Sequence, residues 1–235
     1  MIPLRDDQPT FSTPFVNYFL IILNVLIFLW EYSLGVQSHR ALNSFIGEFG
    51  IVPQHTIEVL TGHSYDGLAT AIVPLFTSMF LHANIWHVAG NMLFLWIFGD
   101  NVEDYIGHFN YLAFYLISGL AAGAAHILVN QGSDVPSIGA SGAIAGVMGA
   151  YLILYPKARV LVWFPPIFLF HVPAWIMLGY WFVVQFVSGT TTAIAETSQS
   201  SGGIAFWAHI GGFVAGVVMI NLFRERSHRY RYGTW

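Results

Sequence analysis

The sequence predicts an all-α polytopic membrane protein, a bundle of six transmembrane helices. Three observations carry that reading. Hydrophobic residues make up 56% of the 235 and charged residues 9%, whereas a soluble domain carries roughly 25% charged residues. The few charges leave six long uncharged runs, 8–30, 67–99, 105–133, 135–156, 160–195 and 197–223, and about 20 apolar residues suffice to cross a hydrocarbon core of roughly 30 Å. The basic residues are also sorted: with helices alternating in direction, Arg5, Lys157, Arg159, Arg224, Arg226, Arg229 and Arg231 fall on one side and only Arg40 on the other. The composition excludes a disordered chain and a nucleic-acid binder, for which 8 Lys+Arg against 12 Asp+Glu is the wrong balance. With 0 Cys there is no disulfide, thiolate nucleophile or cysteine-based metal site.

The elements follow in order. A first helix is expected over 13–30; its Arg5-Asp6-Asp7 flank is net negative and no cleavage site follows, so it reads as a span and not a removed signal. Residues 31–75 are mixed polar and apolar, an outside segment with short interfacial helices. The second helix is expected over 77–98, with Asp100–Asp104 as a loop, and the third over 109–129. The fourth, 141–155, is stopped by Pro156 and is short for a full span, which puts one of its ends below the membrane surface. Pro165, Pro166 and Pro173 keep the next stretch out of helix until a fifth at 173–187. The linker 188–203, rich in Thr, Ser and Gly, leads to a sixth helix at 204–223. No internal repeat is visible, and 1–235 reads as one domain. Its short N-terminus, 1–12, and basic tail, 224–235, are expected in the cytoplasm of a prokaryotic cell, with the protein in the plasma membrane and its site open to the outside.

Polar groups buried in a bilayer are costly and mark function. Four stand out: His87 and Asn91 in the second helix, Ser141 at the start of the fourth and His209 in the sixth. All fall in one layer, because these three helices run in the same direction. Ser141 lies in Ile138-Gly139-Ala140-Ser141-Gly142, on the first turn of a helix. There unpaired backbone N–H groups and the positive dipole end can stabilise an oxyanion, while Gly139 lets a substrate backbone come close. Ala208, Gly212 and Gly216 form a small-residue stripe matched by Gly142, Gly146 and Ala150; such stripes let membrane helices approach closely. A Ser hydroxyl and an imidazole must come within about 3 Å for proton transfer. His87 and Asn91, at i and i+4, share a face and can both donate hydrogen bonds.

Each feature also has a plain structural reading: a helix cap for Ser141, interhelical hydrogen bonding for His87, Asn91 and His209, packing for Asn17, Asn24 and His126. A metal centre is disfavoured. His82 and His87 are five apart, no His-Glu-x-x-His occurs, and no carboxylate lies inside an expected span, so neither metal nor cofactor is expected. A transporter or channel would need a polar path through both leaflets, and the inner halves of these helices offer little beyond Asn91 and Asn221.

His82-x4-His87-x3-Asn91, Gly139-Ala140-Ser141-Gly142 and Ala208-His209-x2-Gly212-x3-Gly216, in this order, resemble the motifs of the rhomboid family of intramembrane serine proteases. The resemblance covers about residues 15–223. It implies a six-helix rhomboid-like bundle and a Ser–His dyad with Ser141 as nucleophile and His209 as base. His87, Asn91 and the Ser141 N–H would hold the oxyanion. The fifth helix, with Trp175, Trp181, Phe182 and Phe186, would resemble the lateral gate, and 188–203 the cap. Implied partners are the lipid bilayer and single-pass membrane proteins cut within or beside their spanning segment. Two departures stand. Some members carry a Tyr packing on the catalytic His four residues after the nucleophile, where this chain has Ala145, so other neighbours must hold the imidazole. The Trp-Arg pair that many members carry in the first outside loop is also missing. The alternative is a non-catalytic rhomboid-like chaperone or binding protein, a class that lacks the Ser or the His.

Overall fold

A computed structural model of the chain describes residues 1–194 and 205–223. Helix α1, Phe15–Gln37, shows why this is a membrane fold. Its buried stripe is Asn17, Leu20, Asn24, Phe28 and Glu31, while Phe15, Phe19, Ile22, Leu26 and Leu29 face outward. A helix that hides its amides and a carboxylate while exposing its large apolar side chains is partnered by lipid, not water. Asn17 donates to the Leu95 carbonyl (3.0 Å) and accepts from the Tyr111 hydroxyl (2.9 Å), so it joins three helices instead of merely packing.

Residues 31–75, expected to carry short helices, contain α2 (His39–Phe49) and α3 (Pro53–Leu60). The second span departs from expectation. It is not one helix from residue 77: α4 (Ala69–Thr77) continues as a 3₁₀ turn (Ser78–Phe80), and α5 (Ile85–Ile106) starts afresh at a 78° bend. Asn84 starts α5, its side-chain oxygen accepting from the His87 N–H at 3.0 Å. Nor is Asp100–Asp104 a loop. The helix carries these acids because the N-terminal segment satisfies them: Asp100 accepts from the Thr10 hydroxyl (2.7 Å) and Asp104 from the Ser12 N–H (2.8 Å). Glu103 accepts from the Val16 and Asn17 N–H groups (3.0 and 2.7 Å), capping α1, which has no side-chain cap of its own.

Helices α6 (His108–Val129) and α7 (Ser141–Leu154) match expectation within a residue. The proline-rich stretch after α7 forms a hairpin that the sequence reading did not foresee: β2 (Arg159–Phe164) and β3 (Phe168–Pro173) pair antiparallel, and β1 (Ile2–Arg5) joins β2. Residues 1–12 are thus folded against the bundle and are not a free tail. Helix α8, Ala174–Ile194, runs past the expected end at 187 into the first residues of the expected linker. Thr190 and Thr191, read as linker, bond back to the Phe186 and Val187 carbonyls at 2.9 Å. The remainder of the expected linker and the basic tail 224–235 lie outside the described residues. The last helix, α9, is Phe206–Met219, closed by a 3₁₀ turn, Ile220–Leu222.

Helix length by itself supports fewer spans than six. Among the described residues, α1 and α6 are long and apolar enough to cross a membrane, and the bent α4–α5 pair makes a third. At 1.5 Å per residue, the 14 residues of α7 or α9 reach only about 21 Å. Helix α7 is enclosed by its neighbours over Gly142–Tyr151, while α9 packs its Ala208, Gly212, Phe213 and Gly216 face inward and leaves Val214 and Val218 exposed. The matching of buried polar groups to partners across helices makes the whole a polytopic membrane bundle.

Asp6, outside the spans, accepts a hydrogen bond from the Tyr151 hydroxyl, and burial raises its carboxyl to a pKa of about 6 from 3.8. Between those values the folded chain holds a proton that the unfolded chain has lost, so the fold loses stability as pH rises through the window. Solvent exposure screens the effect to about 1 kcal/mol. Melting in detergent at pH 4 and pH 7 should therefore shift against the wild type relative to Asp6→Asn; equal shifts in the two proteins would refute it.

Candidate active site

Three helices begin at one level of the bundle. The approach to α7 is fixed first: Ile51 and Ser137 exchange backbone hydrogen bonds of 3.0 and 2.7 Å, and the Gly139 N–H donates to the Ser78 carbonyl at 2.8 Å. Gly139 has φ +134°, a conformation open to glycine, and a Cβ there would meet the His87 ring at 2.8 Å. The chain therefore passes His87 at backbone distance immediately before Ser141.

Ser141 is the first residue of α7, and its side chain does not cap the helix. The first-turn N–H groups have no acceptor within the helix, as at any helix start. The Ser141 Oγ lies 2.7 Å from His209 Nε2. That distance depends on how closely α7 and α9 approach. A Cβ on Gly212 would fall on the Gly142 carbonyl, and one on Gly216 on the Gly146 carbonyl. The two expected stripes do meet, backbone against backbone, and α6 completes the contact with Ser118 and Ala122 against Gly146 and Gly142.

His209 is held from α8. Its Nδ1 is 2.8 Å from Gln185 Oε1, and the Trp181 ring lies over it at 5.6 Å between centroids. These are the neighbours that Ala145 cannot supply. Trp181 was read only as a gate aromatic, and Gln185 was not read at all. The signal was present: an amide in the otherwise apolar expected fifth helix is the same kind of signal that singled out Asn91.

The expected donors divide. His87 stands beside Gly139. Asn91, one turn further along α5, donates from Nδ2 toward His82 Nε2 at 2.9 Å. One of its two N–H bonds is thereby engaged, which fixes the amide's orientation and leaves the second N–H to be presented. His82, given no role by the sequence reading beyond its place in the motif, is buried on the bend before α5, and its backbone N–H donates to Glu31 at 3.1 Å. Glu31 ends the first uncharged run, and α1 continues past it. His126, expected to be packed, lines a small cavity beside Ser141 together with Ser78 and Ser137.

A family model described as Rhomboid domain matches residues 69–226, which contain every candidate site residue. Among similar proteins, "Rhomboid protein 1, mitochondrial" of Saccharomyces cerevisiae is 32% identical over 153 residues, covering 63% of this chain and 41% of that protein. "Presenilin-associated rhomboid-like protein, mitochondrial" of Mus musculus is 28% identical over 160 residues, covering 65% and 38%. "RHOMBOID-like protein 12, mitochondrial" of Arabidopsis thaliana is 29% identical over 175 residues, covering 67% and 48%. The chain thus spans less than half the length of these relatives. Their names overturn the expectation of a prokaryotic plasma membrane with cytoplasmic termini, which rested on charge sorting. Charge sorting gives a sidedness, not the identity of the membrane.

The α7–α9 approach can be tested without any activity. Gly216→Ala puts a methyl group into the Gly146 carbonyl, and overpacking of this kind costs about 1–3 kcal/mol. A lowered melting temperature in detergent is expected; an unchanged one would mean that the helices are not in backbone contact.

Proposed function

The chain belongs to the rhomboid family, and on that premise we propose that it is an intramembrane serine endopeptidase working through a Ser141–His209 dyad. The observation that carries this reading is the 2.7 Å contact between the Ser141 hydroxyl and His209 Nε2, made across two helices at a helix N-terminus. His209 takes the hydroxyl proton as Oγ attacks the scissile carbonyl. It returns that proton to the departing amine as the C–N bond breaks, and the acyl-enzyme is then hydrolysed by a water that His209 deprotonates. Charge developing on the carbonyl oxygen is met by the Ser141 N–H, by His87 and by the free N–H of Asn91. Gly139 leaves room for the substrate backbone.

The substrates are single-pass membrane proteins, cut within or beside the spanning segment and admitted past α8. The bilayer is the second partner. The whole chain acts as one rhomboid-like domain, and by its relatives its location is a mitochondrial membrane. A non-catalytic binding protein of the same family would have no need for a serine and an imidazole held at proton-transfer distance.

Ser141→Ala is expected to abolish release of a soluble fragment from a single-pass substrate in proteoliposomes and to abolish labelling by a fluorophosphonate, with melting unchanged. Continued cleavage by this variant would sink the proposal. Asn91→Ala should lower kcat by about 10²-fold with KM within about twofold, because the donor acts on the transition state. A raised KM at constant kcat would reassign Asn91 to binding.

A further inference from the structure

The dyad, as proposed above, leaves one atom of His209 unexplained. For Nε2 to accept the Ser141 proton, the imidazole's own proton must reside on Nδ1. A neutral imidazole left to itself exchanges between its two tautomers, and the one protonated on Nε2 cannot serve as base. Something must therefore select the tautomer and stop the ring from turning. The contacts on Nδ1 come from α8: Gln185 Oε1 stands 2.8 Å away and Trp181 covers the ring face. The same requirement fixes the amide. If Nδ1 carries the proton, Gln185 must present oxygen and not nitrogen, as the structure has it. Gln185 lies more than two helical turns from the start of α8, which is stapled to the end of the α7 connection by the Ala174 and Trp175 N–H groups, donating to the Ala158 and Pro156 carbonyls at 2.8 and 3.1 Å. On either side of Gln185, Phe182 lies against Phe213 of α9 at 5.0 Å between ring centroids and Phe186 meets Trp207 at 6.4 Å. The amide is thus delivered by a helix fixed at its base and held along α9 by aromatic contacts.

We propose that Gln185 is a positioning residue for His209: its carbonyl accepts the Nδ1–H, selects the tautomer that can take the Ser141 proton, and holds the ring while the imidazolium forms. No proton passes to the amide. During attack the proton moves from Oγ to Nε2 alone, and the Nδ1–H···O bond strengthens as the ring becomes charged. It follows that α8 carries part of the catalytic arrangement, so that an α8 displaced from α9 leaves the dyad with a free ring.

The test uses the full chain in detergent, with a fluorophosphonate as probe of Ser141. Gln185→Met keeps length and volume and removes the acceptor. Its inactivation rate constant is expected to fall about tenfold to a hundredfold, with the probe's binding constant within about twofold, since loss of the correct tautomer costs rate more than binding. Nitrogen-15 NMR of labelled histidine gives the readout that a merely structural residue would not move: wild-type His209 protonated on Nδ1, and a tautomer mixture in Gln185→Met. Wild-type reactivity in Gln185→Met or an Nε2-protonated ring in the wild type would each overturn the proposal. The NMR result is independent of turnover, so an enzyme inert to the probe would count against the dyad, while the tautomer would still decide the role of Gln185.

Discussion

The site depends on the backbone contact between α7 and α9. Neither Ser141 nor His209 has a long reach, and each stands in the first turn of a separate helix. They meet at 2.7 Å only because Gly142 and Gly146 present bare carbonyls to Gly212 and Gly216. In water, an apolar interface would be driven together by solvent exclusion. In a bilayer the lipid tails are as apolar as leucine, so attraction comes from close packing and interhelical polar contacts. The stripes that bring the helices together therefore also set the distance between Ser141 and His209. A larger side chain at these positions would alter stability and chemistry by the same displacement.

Much of this was legible in the sequence because a membrane makes polar residues conspicuous. Ser141, His209, His87 and Asn91 were singled out as polar groups in apolar runs, and three of the four come together around Gly139, with Asn91 one turn further on. The stripes were legible for the same reason, small residues at a spacing of four. Less legible was anything that depends on a distant partner. The acids Asp100, Glu103 and Asp104 read as a loop because carboxylates end an apolar run. They remain helical because residues 10–17, 86 to 92 positions earlier in the chain, donate to them. The break between α4 and α5 was hidden because both pieces are apolar and no proline stands at the bend. The hairpin of β2 and β3 was hidden because prolines announce only what a segment cannot be. Thr190 and Thr191 show the opposite case, where composition suggests a linker and the helix runs on, their hydroxyls bonding to its own carbonyls.

The buried carboxylates share a logic. Asp100, Glu103 and Asp104 gather at the far end of α5, where N-terminal backbone and side-chain donors surround them, and Glu31 receives the backbone N–H of His82. Each carboxyl group orders a segment by accepting hydrogen bonds from it: the approach to α1 in one case, the bend before α5 in the other. Since His82 in turn engages Asn91, the α1 carboxylate supports a site residue two steps away. The motif residue that the sequence reading left without a role is the joint between scaffold and site.

That distribution also explains why the partner of His209 is an amide. A carboxylate there would impose a larger desolvation cost, and with the imidazole neutral before reaction it would stand as an unpaired buried charge. An amide carbonyl accepts the same hydrogen, fixes the same tautomer and is far cheaper to bury. Its weaker field gives less help to the imidazolium, and that deficit is reduced where water is excluded, because a hydrogen bond in low dielectric is electrostatically stronger than in water. A membrane therefore favours an uncharged polar set around the serine, and the carboxyl groups of α5 sit at the end where N-terminal backbone and hydroxyl donors meet them.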